Sequence, residues 1–174
     1  MTAPSDAPRV RLRPYAEGDF ALLERSNAPE MTEHLGGPES DEKLRDRHQR
    51  YVAIRDKGTG QMFIIEMLDG TAVGNIGYWD KEWQDEAVYE TGWSVFAEFW
   101  GQGLAAEAAS LVAAEARAAG TRRYLHAFPS VEHAASNAVC RKAGFELAGQ
   151  YDFEYPPGHP LLTNDWRLDL HTFE

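Results

Sequence analysis

The sequence has little of several features that define particular protein classes. Its single cysteine, Cys140, excludes an internal disulfide and any metal site built from several cysteines. No apolar run, MFIIEML being among the longest, approaches the roughly 20 residues that a membrane-spanning helix needs. The N-terminal stretch MTAPSDAPR has neither a basic start nor an apolar block, so we expect no signal peptide. We therefore expect a cytoplasmic protein that does not act on a membrane.

Basic residues are also in deficit. The chain of 174 residues has 17 Lys and Arg against 28 Asp and Glu, a net charge of −11 with no basic block. This balance argues against nucleic acid as the main partner. It favours a cationic small molecule or a basic peptide, although acidity also simply maintains solubility. The six histidines and the acidic residues show no metal-ligand spacing, so we predict no metal.

Hydrophobic periodicity predicts a mixed fold of the α/β or α+β class. Four helices are expected: FALLERSNA capped by Asp19, a second from about Ser40 to Lys57, the longest over Leu104 to Ala119, and a short one over Ala134 to Lys142. Asp69–Gly70 indicates a hairpin. The other periodic segments are strand-like: VRLRPY, QMFIIEML, AVGNIGYWD, AVYETGWSVF, RRYLHAF, FELAGQYDF and NDWRLDLHTF. We expect one domain over 9–174, after a disordered lead-in over 1–8.

The stretch EFWGQGLAAEA (98–108) places two glycines just before the longest helix. A helix N-terminus offers unpaired N–H groups and partial positive charge, and phosphate is its usual guest. A tight turn that serves only chain geometry is one interpretation. A second is the dinucleotide pattern G-x-G-x-x-G/A at Gly101, Gly103 and Ala106. That pattern belongs early in a βαβ unit with an acidic residue downstream, whereas here the next strand opens with Arg122 and Arg123.

The third interpretation is a resemblance. Trp100-Gly101-Gln102-Gly103-Leu104-Ala105 resembles motif A of the GNAT superfamily of N-acetyltransferases, [R/Q]-x-x-G-x-[G/A], with tryptophan at the first position. LRPYAEGDFALL, YETGWSVFAEFWGQGLAAEA and HAASNAVCRKAGFELAG extend it to the branch of RimJ/RimL-type ribosomal-protein N-terminal acetyltransferases, with His133 where asparagine is usual. The resemblance implies a mixed, mostly antiparallel seven-stranded sheet with helices on both faces and with strands four and five splayed apart.

The resemblance also implies acetyl-coenzyme A as co-substrate. Backbone N–H groups of Gln102, Gly103, Leu104, Ala105 and Ala106, with Gly101 leading into the turn, would hold the pyrophosphate. The pantetheine arm would pair with the edge near Trp93, Val95 and Phe96, and an N–H near Val95 would polarise the thioester carbonyl. The further cofactor contacts it implies are His133, Asn137 and Arg141. A loop histidine with no role remains the alternative for His133, and a solvated helix residue remains the alternative for Arg141.

Acetyl transfer needs an amine that has lost its proton, so a general base is expected. By position in the family this is Glu90, for which a solvent-facing strand glutamate without a catalytic role is the alternative interpretation. Asp85 and Glu86 are nearby candidates that also fit as loop charges. Many members use a tyrosine to protonate the leaving thiolate; here that position is Cys140, which we interpret as a small buried hydrophobic residue. Ser136 matches a serine of the ribosomal branch and is the expected donor. With no convincing nucleophile, we expect direct transfer in a ternary complex.

The acceptor would be a protein N-terminus or a small amine. Aromatic and acidic residues in GYWDKEWQDEAVYE and DFEYPPGHPLLTNDW would suit a cation. Alternatively, Tyr78, Trp79, Trp83, Tyr155 and Trp166 serve packing, or a homodimer contact. A catalytically silent acyl-CoA-binding module is the alternative function, because Trp100, His133 and Cys140 depart from common family residues.

Overall fold

The computed structural model describes residues 7–154 and 157–172. Residues 1–6 of the expected lead-in, and Tyr155 among the aromatic candidates, lie outside this range. The seven strands and four helices occur in the order that the sequence predicts: β1 (Val10–Pro14), α1 (Phe20–Ser26), α2 (Asp41–Ala53), β2 (Gly60–Met67), β3 (Ala72–Trp83), β4 (Glu86–Val95), α3 (Leu104–Ala119), β5 (Tyr124–Ala127), α4 (Ala134–Lys142), β6 (Glu146–Glu154) and β7 (Pro160–Asp169).

The strands form one sheet in the order β1-β2-β3-β4-β5-β7-β6. Every neighbouring pair is antiparallel except β4 and β5, which are parallel. This parallel contact consists of Tyr89 opposite Leu125 and Glu90 opposite His126. Beyond Glu90 the two strands separate, so the mixed, mostly antiparallel sheet with splayed fourth and fifth strands is confirmed.

Helices cover both faces of the sheet, and the alternation of β2 shows how. Phe63 and Ile65 belong to the large core shared with α3 and α4, whereas Met62 and Ile64 pack with α1 and α2 on the opposite face. Because β2 is buried on both faces, its sequence is a continuous apolar run rather than an alternating one. In the described residues, no helix is long and apolar enough to cross a membrane.

Two hairpins set the register of the central strands. The predicted Asp69–Gly70 turn joins β2 to β3, with Gly70 at φ +92°. The β3–β4 hairpin turns at Gln84 and Asp85, which have φ of +51° and +62°. Two consecutive left-handed residues match the twist of the strands, and this is usually the role of Asn-Gly pairs. Gln84 Nε2 also donates to Tyr151 Oη at 2.7 Å, which holds the turn in place.

The structure corrects several local predictions. Asp19 occupies the N-cap position of α1, as predicted, but its side chain makes no capping bond to that helix, because the carboxylate accepts from Ala16 N–H at 2.8 Å and pairs with Arg13 on β1. The second helix ends at Ala53 rather than near Lys57 and continues as turns. The last strand begins at Pro160, four residues earlier than predicted, because it pairs with β6 from that point.

Candidate active site

A cavity of about 1010 Å³ lies where β4 and β5 separate. Its walls come from β3 and β4, from the first turn of α3, from α4 and from the loop between α1 and α2. The volume is at the upper end of the roughly 300–1,000 Å³ typical of small-molecule sites. The predicted site residues on its wall are Glu90, Trp93, Val95, Gly101, Gly103, Leu104, Ala105, Ala106, His133 and Ser136.

One end of the cavity is the N-terminus of α3. Gly101 and Gly103 both have φ +77°, a conformation that L side chains rarely adopt. The first helical bond runs from Glu107 N–H to Gly103 O, so the N–H groups before Glu107 have no partner within the helix. Small side chains at Ala105 and Ala106 keep this turn open. The arrangement offers oriented donors and partial positive charge to an anion.

Arg9, the residue just before β1, fixes the loop that leads into α3. Its Nη1 donates to the carbonyl oxygen of Gln102 at 2.8 Å, and its Nε lies 3.1 Å from Glu107 Oε2. The other oxygen of Glu107 accepts from Val10 N–H at 3.0 Å. Gln102 therefore lies behind the turn rather than on the cavity wall, with its carbonyl directed at Arg9. Sequence reasoning missed Arg9, because no local motif connects it to a loop some 90 residues later.

The edge of β4 that faces β5 carries backbone groups that no strand pairs beyond Glu90. Phe96 N–H donates to Val73 O on β3 at 2.8 Å. Because backbone groups alternate along a strand, those of Val95 and Trp93 point the opposite way, into the gap. Trp100 Nε1 donates to the carbonyl oxygen of Val95 at 2.6 Å, and Trp100 is 53% exposed. Phe96 itself is buried beneath Arg25, its N–H committed to β3.

Glu90 stands at the last position of β4 that pairs with β5. Its Oε2 accepts from Trp79 Nε1 at 2.8 Å and lies 3.7 Å from Lys81 Nζ. Trp79 packs on the α1–α2 face, so Glu90 projects to that face of the sheet. Asp85 and Glu86 lie at the distal turn of the hairpin, outside the cavity wall. Of the three candidate bases, Glu90 is the one that borders the cavity.

The N-terminus of α4 forms another wall. His133 Nδ1 accepts from Ser136 N–H at 3.3 Å and so caps the helix. The imidazole of His34, in the α1–α2 loop, stacks on His133 with ring centres 4.2 Å apart and an angle of 21°. Burial, and secondly the neighbouring His34, lower the pKa of His133, while Glu33 opposes the shift. The stack joins the α1–α2 loop to α4 across the cavity. The sequence did not predict this contact.

Other α4 residues point elsewhere. The side chain of Asn137 donates to the carbonyls of Ser130 and His133 at 2.9 Å each, and its Oδ1 accepts from Asn164 and Trp166 at 2.8 Å each. These four bonds occupy the amide, so we do not assign Asn137 to the cofactor. Arg141 lies over the ring of Trp166 at 5.4 Å, off the cavity wall. Its predicted contact stays a prediction.

Cys140 is buried in the main core with no exposed surface. Burial raises the pKa of its thiol to about 12. A thiol that stays protonated at neutral pH is neither a nucleophile nor a ready proton donor. Its placement agrees with the interpretation of Cys140 as a small hydrophobic residue.

A cluster of three hydrogen-bonded side chains lies next to the β4–β5 contact. His126, which pairs with Glu90 across the β4–β5 contact, has Nδ1 2.6 Å from Asp165 Oδ1 on β7. Trp83 Nε1 donates to the other oxygen of Asp165 at 3.1 Å. The three side chains belong to three strands that are distant in sequence, so no spacing predicted the cluster. Of the described aromatic candidates, Trp79 lines the cavity, whereas Tyr78, Trp83 and Trp166 pack beside or beneath it.

A family model described as an acetyltransferase (GNAT) domain matches residues 9–146, most of the chain. The chain belongs to the GNAT acetyltransferase family. The family that the glycine motif and its flanking segments suggest is thus confirmed. In this GNAT domain, the described residues contain no group of three or more His, Cys, Asp or Glu side chains that could hold a metal ion.

Solved structures share the fold. An acetyltransferase from Salmonella typhimurium that modifies the N-terminal serine of ribosomal protein L7/L12 is 21% identical with a TM-score of 0.76, over 94% of this chain and 96% of that one. A spermidine N-acetyltransferase from Vibrio cholerae, in complex with coenzyme A and spermine, is 15% identical with a TM-score of 0.78, over 96% and 99%. An aminoglycoside acetyltransferase in complex with coenzyme A is 21% identical with a TM-score of 0.73, over 92% and 94%.

Proposed function

We propose that this GNAT domain transfers the acetyl group of acetyl-coenzyme A directly to a primary amine. The observation that carries the proposal is the position of Glu90. Its carboxylate borders the cavity at the point where β4 leaves β5, between the turn before α3 and the α1–α2 face. A carboxylate there can take a proton from an amine that enters from the α1–α2 side.

The α3 turn fits the pyrophosphate. The protein and coenzyme A are both strongly anionic, so they repel each other at long range. Binding then depends on short-range N–H donors at Gly103 to Ala106, which act within the Debye length of about 8–10 Å. Arg9 turns the Gln102 carbonyl away from this site, so that donors rather than an acceptor face the anion. Acetyl-coenzyme A supplies the activated acyl group.

The open edge of β4 fits the pantetheine arm. The N–H and C=O groups of Trp93 and Val95 point into the gap, where an extended amide chain can pair with them. The N–H of Val95 is the donor we assign to the thioester oxygen. The indole N–H of Trp100 donates a hydrogen bond to the Val95 carbonyl oxygen in this structure. An amide N–H of the pantetheine arm would have to compete with the indole for that oxygen.

Two side chains would manage protons. Glu90 takes the proton of the attacking ammonium, directly or through water. Ser136, on the cavity wall at the first turn of α4, gives a proton or a hydrogen bond to the departing thiolate. Cys140 is buried and protonated, which supports direct transfer without an acetyl-enzyme.

The acidic side chains of the cavity bear on the class of acceptor. Structures with the same fold act on a protein N-terminus or bind a polyamine. Carboxylates of Glu30, Glu33, Glu39, Glu90 and Glu132 line the cavity, which suits a cationic acceptor. Homodimer formation and a cytoplasmic location stay predictions.

A panel experiment tests the function. Acetyl-coenzyme A is mixed with a peptide bearing N-terminal serine, with spermidine, and with an aminoglycoside, and released thiol is measured beside the mass of the product. Acetylation of at least one amine supports the proposal. Binding of acetyl-coenzyme A without thiol release for any amine would instead favour the silent acyl-CoA-binding module. Label retained on the protein as a hydroxylamine-labile thioester would contradict direct transfer.

A further inference from the structure

The chain places one of its own primary amines inside the cavity. Lys81, on β3, lines it with a side chain that is 28% exposed. Its Nζ lies 3.7 Å from Glu90 Oε2, 5.3 Å from the ring centre of Phe128 and 6.0 Å from that of Trp83. A carboxylate and two aromatic faces are the groups that recognise an ammonium ion. The lysine therefore occupies a cation site built by the protein.

The other three lysines of the sequence differ from Lys81 in this respect. Lys43 and Lys57 are exposed on or just after α2, away from the cavity wall. Lys142 is exposed at the end of α4 and borders the cavity. Of these four lysines, all within the described residues, Lys81 is the one whose Nζ lies within 4 Å of the carboxylate that we propose as general base.

We propose that Lys81 is an internal acceptor and becomes Nε-acetylated when the protein holds acetyl-coenzyme A without an external amine. This inference rests on the proposed function, because it uses the same base and the same acyl donor. Trp79 and Lys81 are two residues apart on β3, so both project to the face from which Glu90 reaches the cavity. The lysine thus lies where an external amine would have to lose its proton.

The step balances without a further reagent. The Lys81 ammonium gives one proton to Glu90, and the free amine attacks the carbonyl carbon of the thioester. A carbon–nitrogen bond forms and the carbon–sulfur bond breaks, with its electron pair leaving on sulfur. The thiolate takes a proton from water, directly or relayed through the hydroxyl of Ser136, and the nitrogen of the tetrahedral intermediate loses its second proton to solvent. Glu90 then releases its proton to solvent, so that one proton is released overall. The products are Nε-acetyl-lysine and coenzyme A, with no oxidation or reduction.

The same contacts make the reaction slower than ordinary turnover. The ammonium group of Lys81 lies beside Glu90 and near the two rings, and an ammonium group is not a nucleophile until it has lost a proton. A tethered amine nevertheless has a high effective concentration, so its acetylation should exceed that of a free surface lysine by about tenfold or more. Acetylation would remove the cation beside Glu90 and leave a neutral amide there.

The test is site-resolved mass spectrometry of the full chain after incubation with acetyl-coenzyme A alone. We expect Lys81 to gain one acetyl group at least about tenfold faster than Lys43 or Lys57. Free coenzyme A should suppress acetylation at Lys81 but not at Lys43, since only the first depends on the bound donor. The modification should resist hydroxylamine, which separates an amide from a thioester on Cys140.

Variants complete the test. Glu90→Gln should lower acetylation of Lys81 to the level of Lys43, and Lys81→Arg should abolish the signal at that position. Lys43→Arg is the matched control and should leave acetylation of Lys81 unchanged. Circular dichroism and coenzyme A binding check that each variant folds. If the protein acetylates an added amine but Lys81 is acetylated no faster than Lys43, this inference alone is overturned. Protein that acetylates neither overturns the proposed function as well.

Discussion

The two ends of the cavity are built from different materials. At the α3 end, the groups that face the cavity are mostly backbone N–H donors, made accessible by glycine and alanine over a few consecutive residues. At the opposite end, beside Glu90, they are charged and aromatic side chains from β3, from β4, from Phe128 just after β5 and from the α1–α2 loop. The first end suits a ligand whose chemistry never changes. The second end can vary with the amine, because side chains can be exchanged without altering the fold.

The sharpest test of the acceptor end is Glu90→Gln. The substitution replaces the carboxylate by an amide of the same size, so the general base is lost. The amide oxygen can still accept the hydrogen bond from Trp79 Nε1. We expect kcat to fall by about 10²–10⁴-fold while coenzyme A affinity stays unchanged. Steady-state kinetics and calorimetry measure the two quantities. Glu86→Gln, on the same strand but outside the cavity wall, is the matched control and should keep full activity.

The cofactor end is tested by Gly103→Val. A β-branched residue at φ +77° is strained, and its Cβ would lie 3.4 Å from Arg9 Nη2. We expect coenzyme A affinity to fall by about 100-fold, or about 2.7 kcal/mol, because the donors lose their orientation. Gly58→Val carries similar strain at φ +70° with open space around it, and should leave binding intact. Unchanged affinity for Gly103→Val in calorimetry would refute the assignment of this turn.

A smaller effect is expected for Ser136→Ala, which separates proton donation from packing on α4. Loss of one hydrogen bond to a developing thiolate should lower kcat by about tenfold, the effect of a charged hydrogen bond. Cys140→Ala is the contrasting change one turn later in the same helix. It should keep kcat and lower the free energy of unfolding by about 1 kcal/mol, because it empties part of the core. The reverse pattern would make Cys140, not Ser136, the functional residue.

The smallest effect concerns the His34–His133 stack. Because the pKa of His133 is lowered in the folded protein, the unfolded chain binds the proton more readily, and stability is lost as pH falls through about 6.5. His34→Ala removes one cause of the shift, so the dependence should become shallower between pH 5 and 7. Urea unfolding at several pH values measures it. His171→Ala, at an exposed position, should retain the wild-type slope.

The same contrast explains what could be predicted from the sequence. The α3 turn is contiguous, so Gly101 to Ala106 and the helix behind them could be located from a short motif. Glu90 was found only by its position in the family. Its contact with Lys81 depends on the β3–β4 register, which is set by Gln84 and Asp85, two residues with no ordinary hairpin signal. The His34–His133 stack and the Arg9–Glu107 pair join residues about 100 positions apart, and such contacts leave no periodic pattern.

The short contact between β4 and β5 has one more consequence. It divides the sheet into two leaves, β1 to β4 and β5 to β7, that meet along a seam of two residue pairs. Glu90 belongs to that seam. A ligand between the two leaves, or thermal motion, can move them apart. Such a movement strains the backbone at Glu90, the last paired position of β4, and so changes the orientation of its carboxylate. The proposed base therefore also lies at the junction between the two leaves of the sheet.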